Sequence, residues 1–149
     1  MSRDHYDEES PVPAMTPVLG AGWGFPLRCL TRPETAEAHF AWAADEASVS
    51  QSVQIILATA KGERAMRPDF GSNLHTLLFA PNTGATRAAA AFEVQDALTT
   101  WEPRIDVLGV EVLEGDEPSL LLIEVAYRVR GTDNRFNLVY PFYLDRTAA

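Results

Sequence analysis

The last third of the chain alternates between apolar and polar residues, and this pattern limits the possible folds more than any other feature. The alternation occurs in three segments, residues 105–113, 119–130 and 135–144. Successive side chains of a β-strand point to opposite faces, so a period of two predicts three strands that each bury one face. The connecting residues 114–118 and 131–134 contain Gly, Pro, Asp and Asn, which favour tight turns. The sequence therefore predicts an antiparallel three-stranded meander.

The composition of the three segments also predicts their order in the sheet. Residues 119–130 form the most apolar segment, so we expect this strand in the centre and the other two outside it. In the last strand the expected inward side chains are Phe136, Leu138, Tyr140 and Phe142. Pro141 has no backbone N–H, which suits an edge strand. We therefore expect an open edge that can accept a further strand.

The region before these strands has a helical period. A first helix is predicted over residues 47–60, a second, short helix over 72–79, and an alanine-rich third over 83–100, where Pro103 prevents its continuation. The buried face of the first helix should consist of Val49, Val53, Ile56, Leu57 and Ala60. The buried face of the third should consist of Ala88, Ala91, Val94, Leu98 and Trp101. Three helices that cover one face of a meander give an α+β fold.

The N-terminal part of the chain differs in composition from the rest. Residues 1–22 are rich in acidic residues, proline and glycine, which predicts a flexible arm. Residues 23–149 then form a single domain, beginning with a short strand at about residues 25–30. The 149-residue chain has a net charge of −9, which argues against binding to nucleic acid or to an anionic membrane. No segment has the composition of a secretory signal or a membrane span, so the expected location is cytoplasmic.

The residues that could carry out catalysis or bind metal are few. Cys29 is the only cysteine, and neither it nor the histidines have the spacing of metal ligands. Among the carboxylates, Glu63 and Asp69 lie beside Arg64 and Arg67 in the sequence, and Glu102 is followed by Arg104. A glycosidase needs one acid that an apolar pocket keeps protonated. The sequence therefore predicts neither an enzyme nor a cofactor.

Five short motifs occur in a fixed order along the chain. They are Gly-Trp-Gly-Phe-Pro at 22–26, Gly-Glu-Arg at 62–64, Arg-Pro-Asp-Phe-Gly at 67–71, Leu-Phe-Ala-Pro-Asn at 78–82 and Glu-Pro-Arg at 102–104. In this order they resemble the lysozyme-like baseplate wedge family. This family comprises the GPW and TssE-like sheath initiators of contractile phage tails, type VI secretion and extracellular contractile injection systems. The resemblance covers about residues 22–144 and departs from the family at Ala80, where many relatives have an acidic residue.

The resemblance implies a structural role in a baseplate. The small β-sheet would act as a template for the first sheath ring by strand addition, and Glu102, Pro103 and Arg104 would contact neighbouring wedge subunits. The implied partners are the sheath protein, other wedge subunits and the central hub, spike or inner tube.

Each group of residues also has a simpler interpretation. Glu63, Arg64, Arg67 and Asp69 either contact a partner or form a charged network that holds their own loop. The Glu-Pro-Arg motif alone could be a helix end followed by a strand. The alternative function is a small tail-associated peptidoglycan hydrolase.

Overall fold

The computed structural model describes residues 18–31 and 38–145. These residues belong to two compact units, and the boundary between the units in the sequence falls between Gln51 and Ser52. Residues 1–17 of the predicted arm lie outside the described residues. The arm over residues 1–22 and the single domain over 23–149 therefore stay predictions.

The first unit contains two pairs of short antiparallel strands. Strand β1 (Ala21–Trp23) pairs with β4 (Trp42–Ala44), and β2 (Cys29–Thr31) pairs with β3 (Ala38–Phe40).

The strand predicted at residues 25–30 is largely wrong, because only its last two residues are in a strand. Pro26 follows a cis peptide bond and has no N–H to contribute to a ladder. The side-chain amide of Gln51 bonds to the backbone beside it instead. Its Oε1 accepts from the N–H of Phe25 at 2.7 Å, and its Nε2 donates to the carbonyl of Trp23 at 2.9 Å.

Two α-helices are present in the described residues, where the sequence predicted three. Helix α1 (Asp45–Ala58) and helix α2 (Gly84–Trp101) match the first and third predictions. The predicted second helix is a single 3₁₀ turn, Leu74–Leu77. It lies between Gly71, whose φ is +108°, and Pro81, and no side chain caps its start. So short a segment cannot offset the cost of nucleating an α-helix.

The predicted buried face of α1 is confirmed in its four large residues, whereas that of α2 is partly wrong. The buried residues of α1 are Val49, Val53, Ile56 and Leu57. In α2, Ala88 is exposed, and the buried residues are Thr86, Ala90, Val94, Ala97 and Leu98. Residues 88–91 are all alanine, so hydrophobicity alone cannot show which of them faces the core.

The meander is confirmed, with antiparallel strands in the order β5 (Ile105–Glu114), β6 (Leu120–Val129) and β7 (Arg135–Tyr143). Every second residue of the central strand β6 is buried, namely Leu121, Ile123, Val125, Tyr127 and Val129. The pairing of β5 with β6 shifts at Leu108, which makes a bulge between Val107 and Gly109. Helix α2 packs against β5. The second unit is therefore α+β, and β7 is its outer strand on the side away from β5.

Candidate functional site

The loop after α1 is held closed by its own backbone. The N–H of Gly62 donates to the carbonyl of Pro68 at 2.6 Å, and the N–H of Ser72 donates to that of Thr59 at 2.9 Å. Gly71 has a positive φ of +108°, and a Cβ on this residue would overlap the carbonyl oxygen of Thr59. Only glycine fits both conditions. The loop therefore presents the residues between Gly62 and Gly71 in a defined arrangement.

Two arginines of this loop stack on aromatic rings. The guanidinium carbon of Arg64 lies 4.1 Å from the ring centre of Phe70, and that of Arg67 lies 5.9 Å from the ring centre of Trp101. The two rings are themselves in contact, with centres 5.2 Å apart and an interplanar angle of 58°. Such cation–π contacts contribute roughly 0.5–1 kcal/mol each at exposed sites. They order the arginine side chains without neutralising their charge.

The two acidic residues of the loop behave differently from each other. An oxygen of Glu63 accepts the N–H of Ala60 at 2.9 Å and so stabilises the turn after α1. The side chain of Asp69 is exposed. Within the described residues, no ion pair joins either acid to Arg64 or Arg67. In place of ion pairs, the loop arginines make cation–aromatic contacts, and contact of these charged residues with a partner stays a prediction.

Glu102 and Arg104 form a close pair at the junction of α2 and β5. Glu102 caps the C-terminus of α2 through its backbone N–H and is only 3% exposed. Its two oxygens accept from Nε and Nη2 of Arg104, both at 2.6 Å. The hydrogen bond with Glu102 is also the main reason that the pKa of Arg104 is raised above its ordinary value. This is the bidentate geometry that makes arginine–carboxylate pairs strong.

The local sequence explains this pair. Pro103 cannot continue the helix, and the chain turns there, with the N–H of Ile105 donating to the carbonyl of Glu102 at 3.3 Å, so Glu102 and Arg104 lie within one tight turn. Nη2 of Arg104 also donates to the hydroxyl of Ser52 on α1 at 2.9 Å. The pair therefore connects the end of α2 to α1.

These residues surround an open groove of about 450 Å³, which we call the arginine groove. Its walls consist of Ser52, Ile55, Ile56, Arg64, Phe70, Trp101, Glu102, Pro103 and Arg104. Arg67 lies beside the groove through its contact with Trp101. The structure thus brings the Glu-Pro-Arg motif and Arg64 together at one surface. Sequence reasoning did not assign Phe70 or Trp101 to this surface, although Arg64, Arg67 and Phe70 recur every three residues.

The four predicted residues of the last strand form a separate site. Phe136, Leu138, Tyr140 and Phe142 are half-buried and lie on the face of β7 that faces the core. Phe136 stacks on Tyr127 with ring centres 5.7 Å apart, and burial raises the pKa of Tyr140. The opposite face of β7 exposes Val139 and Tyr143. That these four side chains bind a partner stays a prediction.

A second charged cluster, which the sequence did not reveal, joins β5 to β6. Asp106 pairs across the strands with Arg128 and accepts a bond from its Nη2 at 2.9 Å, and Nε of Arg130 donates to Asp106 at 2.7 Å. Hydrogen bonds from Arg128 and then Arg130 lower the pKa of Asp106. This cluster fixes the end of the sheet near the turn after β6.

Two absences concern the described residues only. None of the helices described is long and apolar enough to cross a membrane. No group of three or more His, Cys, Asp or Glu residues in residues 18–31 and 38–145 is arranged to hold a metal ion.

Comparison with known proteins gives a consistent family assignment. The model of the family described as baseplate wedge protein gp25 matches residues 43–134, which contain four of the five motifs. Residues 22–26 lie outside this match. The chain is 33% identical over 82 residues to baseplate wedge protein gp25 of Enterobacteria phage T4. That alignment covers 55% of this chain and 62% of the T4 protein, so the chain spans less than two thirds of that relative.

Two of the solved structures that resemble the chain illustrate the likeness. One is a crystal structure of a candidate tail lysozyme from Geobacter sulfurreducens, with 46% identity and a TM-score of 0.66, covering 71% of this chain and 96% of that one. The other belongs to the baseplate of the anti-feeding prophage, with 22% identity and a TM-score of 0.59, covering 86% and 88% of the two chains. At that identity the second likeness shows the fold alone. The match of the family model to residues 43–134 shows that the chain belongs to the family of baseplate wedge protein gp25.

Proposed function

We propose that the protein is a structural wedge component of the baseplate of a contractile injection machine. In this proposal its three-stranded sheet templates the first sheath ring, because a sheath strand adds to the free edge of β7. The observation that carries the proposal is this edge, which pairs with no further strand among the described residues, in a chain of the baseplate wedge family. Strand addition gains affinity from backbone hydrogen bonds and register from alternating side chains.

The hydrogen-bond direction in β7 supports this edge. The N–H of Leu144 donates to Ser119, and the carbonyl of Asn134 accepts from Val129, so even-numbered residues on this side bond to β6. In an antiparallel pair the alternate residues direct both N–H and C=O away from the neighbour. The odd-numbered residues from Arg135 to Tyr143 therefore offer their backbone groups to an added strand, apart from the N–H that Pro141 lacks.

The other edge of the sheet is less suitable for strand addition. Strand β5 contains the bulge at Leu108, and α2 packs against it. Bulges and covering helices are two common ways in which proteins protect an edge strand from pairing. We therefore assign the sheath strand to β7.

A proline at Val139 tests this assignment. Val139 is odd-numbered, so Val139→Pro removes one outward donor while the bonds between β7 and β6 remain. The control is Val139→Ala, which keeps the backbone N–H but, like Val139→Pro, removes the exposed valine side chain. We expect both variants to fold and enter baseplates, and only Val139→Pro to reduce the number of sheathed particles in electron micrographs. Normal sheaths on the Val139→Pro baseplates would contradict the assignment.

The arginine groove is the proposed contact with other wedge subunits. Glu102 is too buried to be a major contact, so Arg104, which is 30% exposed, and the loop residues Arg64, Arg67 and Asp69 are better placed to touch a partner. Central hub, spike or inner tube proteins are further partners on this proposal, since the family resemblance implies a position around the hub of the tail.

The alternative function, a small peptidoglycan hydrolase, is suggested by the description of the Geobacter sulfurreducens structure. The geometry does not favour it. Both oxygens of Glu102 bind the guanidinium of Arg104, and the side chain is almost fully enclosed, so it cannot reach a glycosidic oxygen. A turbidity assay on purified cell walls separates the two functions. Lysis by the natural protein that is lost in Glu102→Gln would favour the hydrolase.

A further inference from the structure

We propose that the arginine groove binds an acidic, extended segment of a neighbouring baseplate protein. Carboxylates of this segment would pair with Arg64 and Arg67, and its apolar side chains would pack against Phe70 and Trp101. This inference rests on the proposed function and adds the chemical class of the partner and the residues that recognise it.

The first argument is the charge of the groove. The chain as a whole carries a net charge of −9, yet the arginine groove and its rim expose two arginines that have no carboxylate partner within the described residues. By contrast, Arg104 is matched by Glu102, and nearby Lys61 lies 3.8 Å from Asp96. Arg64 and Arg67 are therefore local positive charges in an acidic protein. Complementary potentials of this kind guide partners and select among them.

The second argument is the orientation of the arginines. The guanidinium carbon of Arg64 lies over the ring of Phe70, 4.1 Å from its centre, and that of Arg67 lies over the ring of Trp101 at 5.9 Å. A ring takes none of the in-plane hydrogen bonds that a carboxylate accepts, so both groups keep N–H donors that can bind a carboxylate with two parallel hydrogen bonds. The rings also reduce the side-chain freedom that would be lost on binding. The groove is thus organised before a carboxylate arrives.

The third argument is the apolar surface around these charges. Ile55 and Ile56 form part of the wall beside the two rings, and the side chain of Met66, between the arginines, is 93% exposed. Aromatic residues, methionine and arginine are the types enriched at protein interfaces. A segment that carries only charge would leave this apolar surface uncovered.

The same features favour a protein over a nucleic acid. A phosphate backbone could pair with the arginines, and bases could stack on the rings. The net charge of −9 would nevertheless repel a polyanion along the rest of its length. A short acidic segment avoids this repulsion and can also cover Ile55, which is partly exposed.

In this arrangement Glu102 is a positioning residue. It fixes Arg104 and thereby the end of α2 that carries Trp101, without itself contacting the partner. A neutral glutamine at this position should weaken partner binding, because Arg104 and Trp101 would no longer be held in place in the groove. The salt dependence of binding should then change little, because the charges of Arg64 and Arg67 are still present.

The experiment uses the full chain with the baseplate wedge proteins encoded beside it. Arg64→Lys and Arg67→Lys keep the charge and place a primary amine in the groove. A carbodiimide then couples this amine to any carboxylate in direct contact. We expect cross-links from positions 64 and 67 to Asp or Glu residues of one segment of a partner wedge protein, located by mass spectrometry. Arg28→Lys is the control for an exposed arginine outside the groove, and it should not link to that segment.

A second measurement gives the strength of the contact. We expect Arg64→Gln combined with Arg67→Gln to bind the purified wedge proteins about tenfold more weakly than the natural chain, with a smaller salt dependence. The double lysine variant should bind within about threefold of the natural chain, since an ammonium retains the charge. Circular dichroism checks that each variant is folded.

The outcomes separate this inference from the proposed function. If the natural chain does not join a baseplate at all, both fail. If it joins, and the double glutamine variant joins with equal affinity and salt dependence, the groove inference is overturned while the structural role stands. The inference is also overturned if the cross-links join isolated acidic residues in segments that are otherwise basic or uncharged. It is likewise overturned if a single-stranded oligonucleotide displaces the wedge proteins from the groove.

Discussion

Replacing Glu102 by glutamine tests whether the pair with Arg104 stabilises the fold. Glutamine has nearly the same shape, so the change removes charge and leaves volume almost unchanged. The amide keeps one oxygen to accept a bond from Arg104, but its NH₂ group faces a guanidinium donor where the natural side chain has a second acceptor. One charge-assisted bond of 2.6 Å is therefore lost and replaced by two donors in contact.

The expected magnitude follows from the burial of the two side chains. Removing one partner of a fully buried ion pair costs about 3–5 kcal/mol. Glu102 is 3% exposed, but the side chain of Arg104 is 30% exposed, so water can solvate part of the unpaired charge. We therefore expect the free energy of unfolding to fall by about 2 kcal/mol at neutral pH. For a chain of this size that corresponds to a decrease in Tm of roughly 4–8 °C.

Chemical denaturation of the natural chain and the variant measures this difference. Glu111→Gln is the matched control, because Glu111 is an exposed glutamate of β5, and its change should stay within about 0.5 kcal/mol. A double-mutant cycle with Arg104→Gln should show that the two changes together cost less than the sum of the single changes. If Glu102→Gln were as stable as the control, or if the cycle were additive, the pair would not stabilise the fold.

Two further predictions concern the framework around the sites. The bond from Arg128 lowers the pKa of Asp106 below its ordinary value of 3.8, so the unfolded chain takes up the proton first as the pH falls. The stabilisation by Asp106 is therefore complete well above pH 3.8 and is lost as the pH falls through the lowered pKa of the folded state. In an acid titration, the folding stability of Asp106→Asn should lack this contribution to the acid-induced decrease. If the stability of the variant fell with pH in the same way as that of the natural chain, the assignment would be contradicted. Gly71→Ala should lower the free energy of unfolding by about 3 kcal/mol or more, because Gly71 has a positive φ and a Cβ there would overlap Thr59. The control is Gly84→Ala, where a Cβ would meet open space, and this change should leave the Tm unchanged in thermal melting. Equal melting of the two alanine variants would show that the loop relaxes around a side chain.

Much of the fold could be predicted because its strongest signals are local. The alternation in residues 120–129 specifies which face of β6 is buried. A shift of one residue in the strand register would turn every apolar side chain of that face towards solvent. The positions of α1 and α2 follow in the same way from a period near four residues and from Pro103. The prediction of the short second helix was wrong because periodicity does not show whether so few residues can nucleate a helix. The predicted buried face of α2 was partly wrong because four consecutive alanines do not show which of them faces the core.

The candidate site shows where the sequence stops being sufficient. The motifs predicted the family and named Arg64, Arg67, Glu102 and Arg104, because these residue types recur in order along the chain. Only the tertiary structure decided that Glu102 is buried, that Arg104 also bonds to Ser52, and that the loop arginines lie over Phe70 and Trp101 instead of pairing with acids. The physical reason is that charge pairing depends on which groups the fold brings within a few ångströms. That proximity is set by contacts between residues about 30 to 50 positions apart, such as Arg67 with Trp101 and Arg104 with Ser52, which no local pattern encodes.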